Sequence, residues 1–342
     1  ISPEIQLFIR EHSSDDVRVL ALQAKKYPDI DMPTVITQIA GRKVAAEKIP
    51  SWWEIEKIWY PKHLSLEQCS SEITARYKAR LLQGDSLTDL TGGFGIDCSF
   101  LATGFKSATY VERQEELCEI AAHNFPVLNL NHINIKNEDG VTYLQAMSPV
   151  DCLFLDPARR NEHGGKTVAI SDCEPNVAEL EELLLQKANR VMIKLSPMLD
   201  LSLALKELKQ TQEVHILSVN NECKELLILL GQTSPAEISI HCVNLFTKGT
   251  QKEQHFVFTR EQEQCSECTY TDSLETYLYE PNASLLKAGA FRSIAAAYPV
   301  RKLHPNSHLY TSDTFIENFP GRIFRIVNPV SYTHLRAHET EA

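Results

Sequence analysis

Asp89-Leu90-Thr91-Gly92-Gly93-Phe94-Gly95-Ile96-Asp97 decides the reading of this chain. It follows a short apolar run at 87–90 and precedes a helix-like stretch through Cys98, Phe100 and Leu101. Glycines at such a junction let the backbone turn sharply and let a ligand approach with no Cβ in the way. A dinucleotide fingerprint needs G-x-G-x-x-G or G-x-G-x-x-A. Counted from Gly93 and Gly95, the third place holds Cys98, so that pattern fails. No Lys-Ser or Lys-Thr follows the glycines, which excludes a phosphate loop. Asp89 would repel a pyrophosphate and suits a cationic ligand.

Working outward, apolar runs at 87–90, 108–111, 133–135, 152–155, 191–193 and 215–219 alternate with helix-like stretches such as 115–124 and 177–187. Strands alternating with helices predict an α/β fold with a Rossmann-like parallel sheet covered on both faces. Ligands of such sheets bind beyond the carboxyl ends of the strands, where the winding reverses. Three more places of that kind carry acids. Glu112 ends the second run, 20 residues after Gly92, the distance at which an acid meets ribose hydroxyls in nucleotide-binding folds. Asn137-Glu138-Asp139-Gly140 follows the third run; Asp139 can accept from an adenine amino group, or the four residues make an ordinary polar turn. The fourth run ends in Asp156-Pro157-Ala158-Arg159-Arg160. Proline fixes the backbone there, and Asp156 with the Pro157 carbonyl can accept hydrogen bonds from an amino group. Arg159 and Arg160 suit a phosphate. A strand-ending turn explains any single Asp-Pro, but not its place on the fourth run.

The flanks differ from this central part. Residues 1–65 read as a helical N-terminal domain, with Ser13-Ser14-Asp15-Asp16 as an N-cap cluster and Pro28, Pro33, Pro50 and Pro61 as punctuation. Trp52, Trp53 and Trp59 are expected to pack against the next domain. After Gly231, strands are expected at 238–246 and 255–259 in a small mixed unit. Within 281–327, Lys287, Arg292, Arg301, Lys302, Arg322 and Arg325 oppose only Asp313 and Glu317, leaving +4 by count. The whole 342-residue chain carries a net charge of -11, so it is no basic nucleic-acid binder overall, although local patches make such footprints. Its nine cysteines are odd in number and irregularly spaced, which argues against a disulfide framework and for a cytoplasmic setting. Cys265 and Cys268 form one C-x-x-C without a second pair, so no metal is expected. No apolar run is long enough for a membrane helix and no signal-peptide pattern opens the chain. The chain begins at Ile1 rather than Met, and residues 331–342 resemble translated sequencing-adapter read-through; upstream residues and the natural C-terminus are expected to lie outside it.

Together these elements resemble class I S-adenosylmethionine-dependent methyltransferases. Thr91-Gly92-Gly93-Phe94-Gly95 is similar to their glycine motif, Glu112 to their ribose acid, and Asp156-Pro157 to the catalytic loop of the amino-methylating branch. The donor's sulfonium and ammonium charges suit Asp89. The resemblance covers 66–231, about half of the chain. Pro61-Lys62-His63-Leu64-Ser65-Leu66 through Ala75-Arg76-Tyr77-Lys78 resembles the segment upstream of this domain in bacterial methyltransferases with a C-terminal THUMP-like domain; there Thr74 and Lys78, one helical turn apart, help close the donor pocket. Lys194-Leu195-Ser196-Pro197 and Asn221-Glu222-Cys223-Lys224-Glu225 are similar to later motifs of that group. Residues 279–310 resemble the start of the THUMP-like part. The resemblance therefore implies a ferredoxin-like unit at 232–280 and a truncated THUMP-like domain at 281–330. Because THUMP domains are associated with RNA, it also implies a tRNA or rRNA partner, with Arg301 and Lys302 as contacts.

One departure limits the resemblance. The amino-methylating loop usually runs Asp/Asn-Pro-Pro-aromatic, and Ala158 and Arg159 take the last two places. The covalent route of uridine C5 methyltransferases needs a cysteine where Ser196-Pro197 stands. The expected protein is a bacterial RNA methyltransferase using S-adenosylmethionine. A methyltransferase for a small molecule or protein, and a non-catalytic module that kept the donor fold, are the rivals; a nicotinamide dehydrogenase is disfavoured by Cys98 and Asp89.

Overall fold

The computed structural model describes residues 2–159, 169–233 and 235–327, the side chains of 63, 64 and 159 excepted. These divide into two compact units: the first reaches Ile193, apart from 169–170, and the second runs on from Lys194.

The first unit begins with helices whose starts are set by local chemistry. Side-chain oxygens of Ser2, Asp16 and Asp31 accept from the orphan amides of α1 (Pro3–Glu11), α2 (Val17–Leu22) and α3 (Met32–Lys48). Proline opens α1, and Pro33 lies in the first turn of α3, where no amide is missed. Phe8, Leu20, Met32, Val35 and Ile39 bury themselves among these three helices. α4 (Pro50–Trp53), α5 (His63–Gln68) and α6 (Glu72–Ala79) lead to the sheet.

Strands β1 (Ser86–Asp89), β2 (Ser107–Glu112), β3 (Ile133–Asn137) and β4 (Val150–Leu155) alternate with α7 (Ile96–Ala102), α8 (Glu115–Val127) and α9 (Gly140–Ala146). A short antiparallel pair, β5 (Ala158–Arg159) with β6 (Cys173–Glu174), precedes α10 (Val177–Lys187) and β7 (Ala188–Leu195). The strand order is β7-β4-β1-β2-β3, every pair parallel. The Rossmann-like α/β expectation holds. Leu87, Cys152, Leu153, Phe154, Val191 and Ile193 are at most 1% exposed, as near-continuous apolar runs must be in strands covered on both faces. The chain passes from β1 outward through β2 and β3, then returns to the other side of β1 as β4. This reversal opens the crevice between the ends of β1 and β4.

Residues 1–65 share a core with the sheet and its helices. Ile49, Trp52, Ile58 and Tyr60 pack in one cluster with Leu66, Phe94, Ile96 and Leu117. The Trp52 ring meets Phe94 edge-on at 5.2 Å, and Trp59 stacks on His123 at 3.8 Å. Asn124, fully buried, completes the attachment: its Oδ1 accepts from the Trp59 amide at 2.9 Å and its Nδ2 donates to the Trp59 carbonyl at 2.8 Å. Trp53 differs from its two neighbours. It is 42% exposed, with the Arg42 guanidinium over its ring.

In the second unit, α11 (Leu201–Glu207) precedes β8 (Thr211–Val219), β9 (Glu222–Gly231), β10 (Ser239–Leu245) and β11 (Glu253–Thr259), and α12 (Arg260–Cys265) comes next. Their order is β11-β10-β8-β9. β8 and β9 form a hairpin turning at Asn220 and Asn221, both at positive φ, a conformation asparagine tolerates well. The strands expected to build a separate ferredoxin-like unit at 232–280 do otherwise: β10 pairs in parallel with β8 along its whole length and β11 pairs with β10. The apolar β8 would otherwise expose an open edge, and β10 satisfies its backbone groups. The chain then forms a small antiparallel sheet of order β13-β14-β12-β15, built from β12 (Tyr277–Pro281), β13 (Arg301–Lys302), β14 (Tyr310–Ser312) and β15 (Gly321–Arg325), with α13 (Ala283–Ala288) and α14 (Phe291–Ala297). Among the described residues, no helix is long and apolar enough to cross a membrane.

Emptying the Trp52 site removes a large ring from a closed core. Trp52→Ala should lower unfolding free energy by about 3–5 kcal/mol in urea melts, whereas Trp53→Ala should change it by no more than about 0.5 kcal/mol.

Candidate active site

The sheet register brings two of the acids chosen from the sequence, Glu112 and Asp156, to one level at the strand ends. Asp89 is level with Phe154 on β4 and with Tyr110 on β2, and Tyr110 with Ile135 on β3. Two residues further on, at the carboxyl ends, stand Asp156, Thr91, Glu112 and Asn137. Period-two alternation explains why these four face the same crevice edge.

Backbone amides and side chains lock this row. The Gly93 amide donates to Glu112 Oε2 at 2.9 Å, and the Gln114 amide to Glu112 Oε1 at 2.8 Å. Thr91 Oγ1 accepts from the Asp156 amide at 2.6 Å and turns its own hydroxyl to Asp89 Oδ1 at 3.4 Å. Asp89, 1% exposed, also accepts from the Thr91 amide at 2.9 Å. Gly92 lies on the Tyr110 ring, where a Cβ would stand 2.2 Å from a ring carbon. Gly93 has φ +54° and Gly95 φ +86°, the left-handed region that favours glycine. A Cβ on Gly93 would meet nothing closer than 3.8 Å, so space lies open above the loop. The Tyr110 hydroxyl donates to the Gly93 carbonyl, and burial pushes that phenol far above its usual range. Burial, with Asp89 and Asp97 beside it, likewise raises the Cys98 thiol well above its ordinary value. Cys98 is therefore a packing residue, not a nucleophile.

Asp139 caps α9, accepting from the Val141 and Thr142 amides at 3.0 Å each, and is itself exposed. The next residue, Gly140, passes so close to β1 that a Cβ would lie 2.2 Å from the Leu90 carbonyl oxygen. Thr74 is buried, its hydroxyl donating to the Ser71 carbonyl at 3.1 Å. Lys78 has a different place from the one expected. It is fully buried, and its Nζ lies 2.9 Å from Asp97 Oδ1 and 2.8 Å from Ser70 Oγ, while Ser70 donates to Asp97 Oδ2 at 2.7 Å. Asp97 sits in the first turn of α7, directly after the glycine loop. Lys78 therefore ties α6 to α7.

Pro157 is buried and Asp156 half-buried at the mouth of the crevice. Arg159 contributes backbone to β5; its side chain and Arg160 lie outside the described residues. The two expected contacts in the second unit both have partners within the chain. Lys302 is 4% exposed, donates to the Pro305 carbonyl at 2.8 Å and lies over the Phe291 ring. Arg301 pairs with Glu275 and Arg322 with Glu280. Both acids lie before residue 281, so a count confined to 281–327 missed them. Tyr110, Asp97 and Ser70 also escaped the sequence reading. Tyr110 had a signal, an aromatic residue two places before the strand-end acid; the Lys78 partners had none.

The chain is similar to a solved structure described as "putative methyltransferase from Porphyromonas gingivalis W83", with 35% identity over 99% of this chain and 85% of that one and a TM-score of 0.86. It is far less similar to a "modification subunit of a putative type I restriction enzyme from Vibrio vulnificus YJ016", at 11% identity, 59% and 56% coverage and TM-score 0.40. An "rRNA Methylase from Streptococcus thermophilus" stands at 14% identity, 46% and 93% coverage and TM-score 0.33. These last two likenesses are too slight to carry an argument. A family model described as a ferredoxin-like domain matches residues 277–320, which begin at the end of the segment expected to be ferredoxin-like and run through most of the one expected to be THUMP-like. No curated protein matches the chain.

The buried Lys78–Asp97 pair generates a sharp expectation. Lys78→Met strands Asp97 and should cost about 3–5 kcal/mol. Adding Asp97→Leu should recover most of that loss, because no buried charge is then left unpaired. A double-mutant cycle read by urea denaturation checks both statements.

Proposed function

The chain belongs to the family of the Porphyromonas gingivalis protein, and on that premise we propose that it is an S-adenosylmethionine-dependent methyltransferase. The observation that carries this reading is the Glu112 carboxylate at the tip of β2, bound to the Gly93 amide of an open glycine loop. The residues present fit the donor. Gly93 leaves room for close backbone approach, and Asp89 and Glu112 supply negative charge for a cationic ligand. Glu112 would take the ribose hydroxyls, and Thr91, Gly93 and Gly95 shape the floor. When bound, the donor supplies an electrophilic methyl group on a sulfonium.

Asp156 and Pro157 act on the other partner. Thr91 holds the Asp156 backbone in place through the 2.6 Å amide contact. The Asp156 carboxylate and the Pro157 carbonyl accept the hydrogens of an amino group and aim its lone pair along the transfer line. Rate then comes mainly from proximity and orientation. Asp139, already engaged in capping α9, would offer its remaining carboxylate oxygen to the adenine amino group.

RNA is the acceptor class we favour, with Arg159 and Arg160 beside Asp-Pro as phosphate contacts. One observation favours the second reading, a small-molecule or protein acceptor: Lys302 is buried and Arg301 and Arg322 are already paired with acids. Mass spectrometry of modified nucleosides in RNA from a deletion strain, before and after restoring the gene, separates the two. A nucleoside that loses its methyl group in the deletion supports RNA; an unchanged set turns the reading to the second acceptor class.

Donor binding and turnover are separately testable. Calorimetry should show S-adenosylmethionine binding and no nicotinamide dinucleotide binding; the reverse would sink the proposal. Glu112→Ala should weaken donor binding about 10- to 100-fold, the scale for a hydrogen bond to a charged group. Asp156→Ala should leave donor affinity within a few-fold and cut turnover by roughly two to four orders of magnitude. A less stable but fully active Asp156→Ala protein would reduce Asp156 to a turn residue.

A further inference from the structure

Three adjacent strands of the second unit bring three histidines and a carboxylate to one sheet face. His241 on β10 pairs level with His215 on β8, and Glu213 stands two residues before His215. On β11, His255 is level with Val243 and so lies diagonally beside His241. Glu213 Oε2 is 3.2 Å from His215 Nε2. The His215 and His241 rings stack with centroids 4.3 Å apart, and His241 Nδ1 lies 3.2 Å from His255 Nε2. One ligand atom from each of Glu213, His215 and His241 falls within 4.8 Å of the other two. His215 is 2% exposed, His241 half-buried and His255 exposed, so the cluster is closed beneath and open at one side.

We propose that Glu213, His215 and His241 form a binding site for a divalent transition-metal ion of the zinc class, with His255 orienting His241. Two imidazoles and one carboxylate suit zinc, cobalt or nickel ions; magnesium and calcium prefer all-oxygen sets. Ligand atoms about 2.0–2.2 Å from such an ion in a tetrahedral array stand roughly 3.3–3.6 Å apart. The cluster therefore has to close by up to about 1.5 Å, through rotation of its side chains. A ligating histidine ordinarily gives its second ring nitrogen to a partner that fixes the tautomer. The His241–His255 contact does this through Nδ1 and leaves Nε2 for the ion. Neighbouring strands lie close enough that one ion bridges β8 and β10. Three protein ligands leave a fourth position for water, as sites open to small ligands do. The proposal stands on the second unit alone and holds or fails independently of methyl transfer.

The full chain, stripped with a chelator, would be titrated with cobalt(II) and followed by visible absorption, and with zinc(II) by calorimetry. One equivalent should bind. His241→Asn and Glu213→Gln should each weaken binding about 100-fold or more, and His255→Gln about 10- to 100-fold. Glu213 is one-third exposed, so Glu213→Gln tests the ligand set even if His241→Asn fails to fold. Melting curves of the stripped proteins identify any misfolded variant. Equal binding by wild type and Glu213→Gln overturns the proposal, as does no binding at all. Strong near-ultraviolet thiolate-to-cobalt absorption would place the ion on cysteines and overturn it as well.

Discussion

The hydrogen bond from the Gly93 amide to the Glu112 carboxylate ties the loop after β1 to the end of β2, and the rest of the crevice is arranged around it. A glycine-rich turn left alone would sample many conformations. Here the turn is pinned from two sides. Glu112 holds it from the second strand, and the Tyr110 ring supports Gly92 from below. Thr91 passes the constraint to β4 through the Asp156 amide. The end of the fourth strand is thus positioned by the first two, although more than sixty residues separate Asp156 from Asp89.

Much of this was legible in the sequence, for a physical reason. Strands buried on both faces are largely apolar, so the run at 152–155 marked β4 closely, and the one at 87–90 marked β1 despite its buried Thr88 and Asp89. Loops at strand ends must turn sharply, so Gly92, Gly93 and Gly95 announced themselves. Glu112 was legible because it ends the next run 20 residues after Gly92, the distance at which an acid meets ribose hydroxyls in nucleotide-binding folds.

Side-chain partnerships were not legible. Lys78 looked like a pocket residue because helix spacing placed it beside Thr74. Its partner Asp97 comes from another helix, and only the packing of α6 on α7 reveals the pair. Charge counting failed in a related way. Lys287 to Arg325 reads as a basic segment, yet Arg322 meets Glu280 across β15 and β12, and Arg301 meets Glu275 just before β12; a linear window divides both acids from their partners. The strands β10 and β11 carried alternation that fits a separate small sheet as well as an extension of β8. Hydrogen-bond partners, not periodicity, decide between those two.

Asn124 joins the N-terminal helices to the sheet by recognising peptide groups. Its amide answers the N–H and the C=O of residue 59, and every residue type except proline offers both. The two ends of this clamp are therefore unequal under mutation. As far as the clamp is concerned, position 59 can drift through almost the whole amino-acid alphabet. Position 124 needs an amide of one length: aspartate would lose the donor, and glutamine would overreach. Two elements that must stay together can thus diverge at different rates, with the side that supplies the side chain bearing nearly all of the selective constraint.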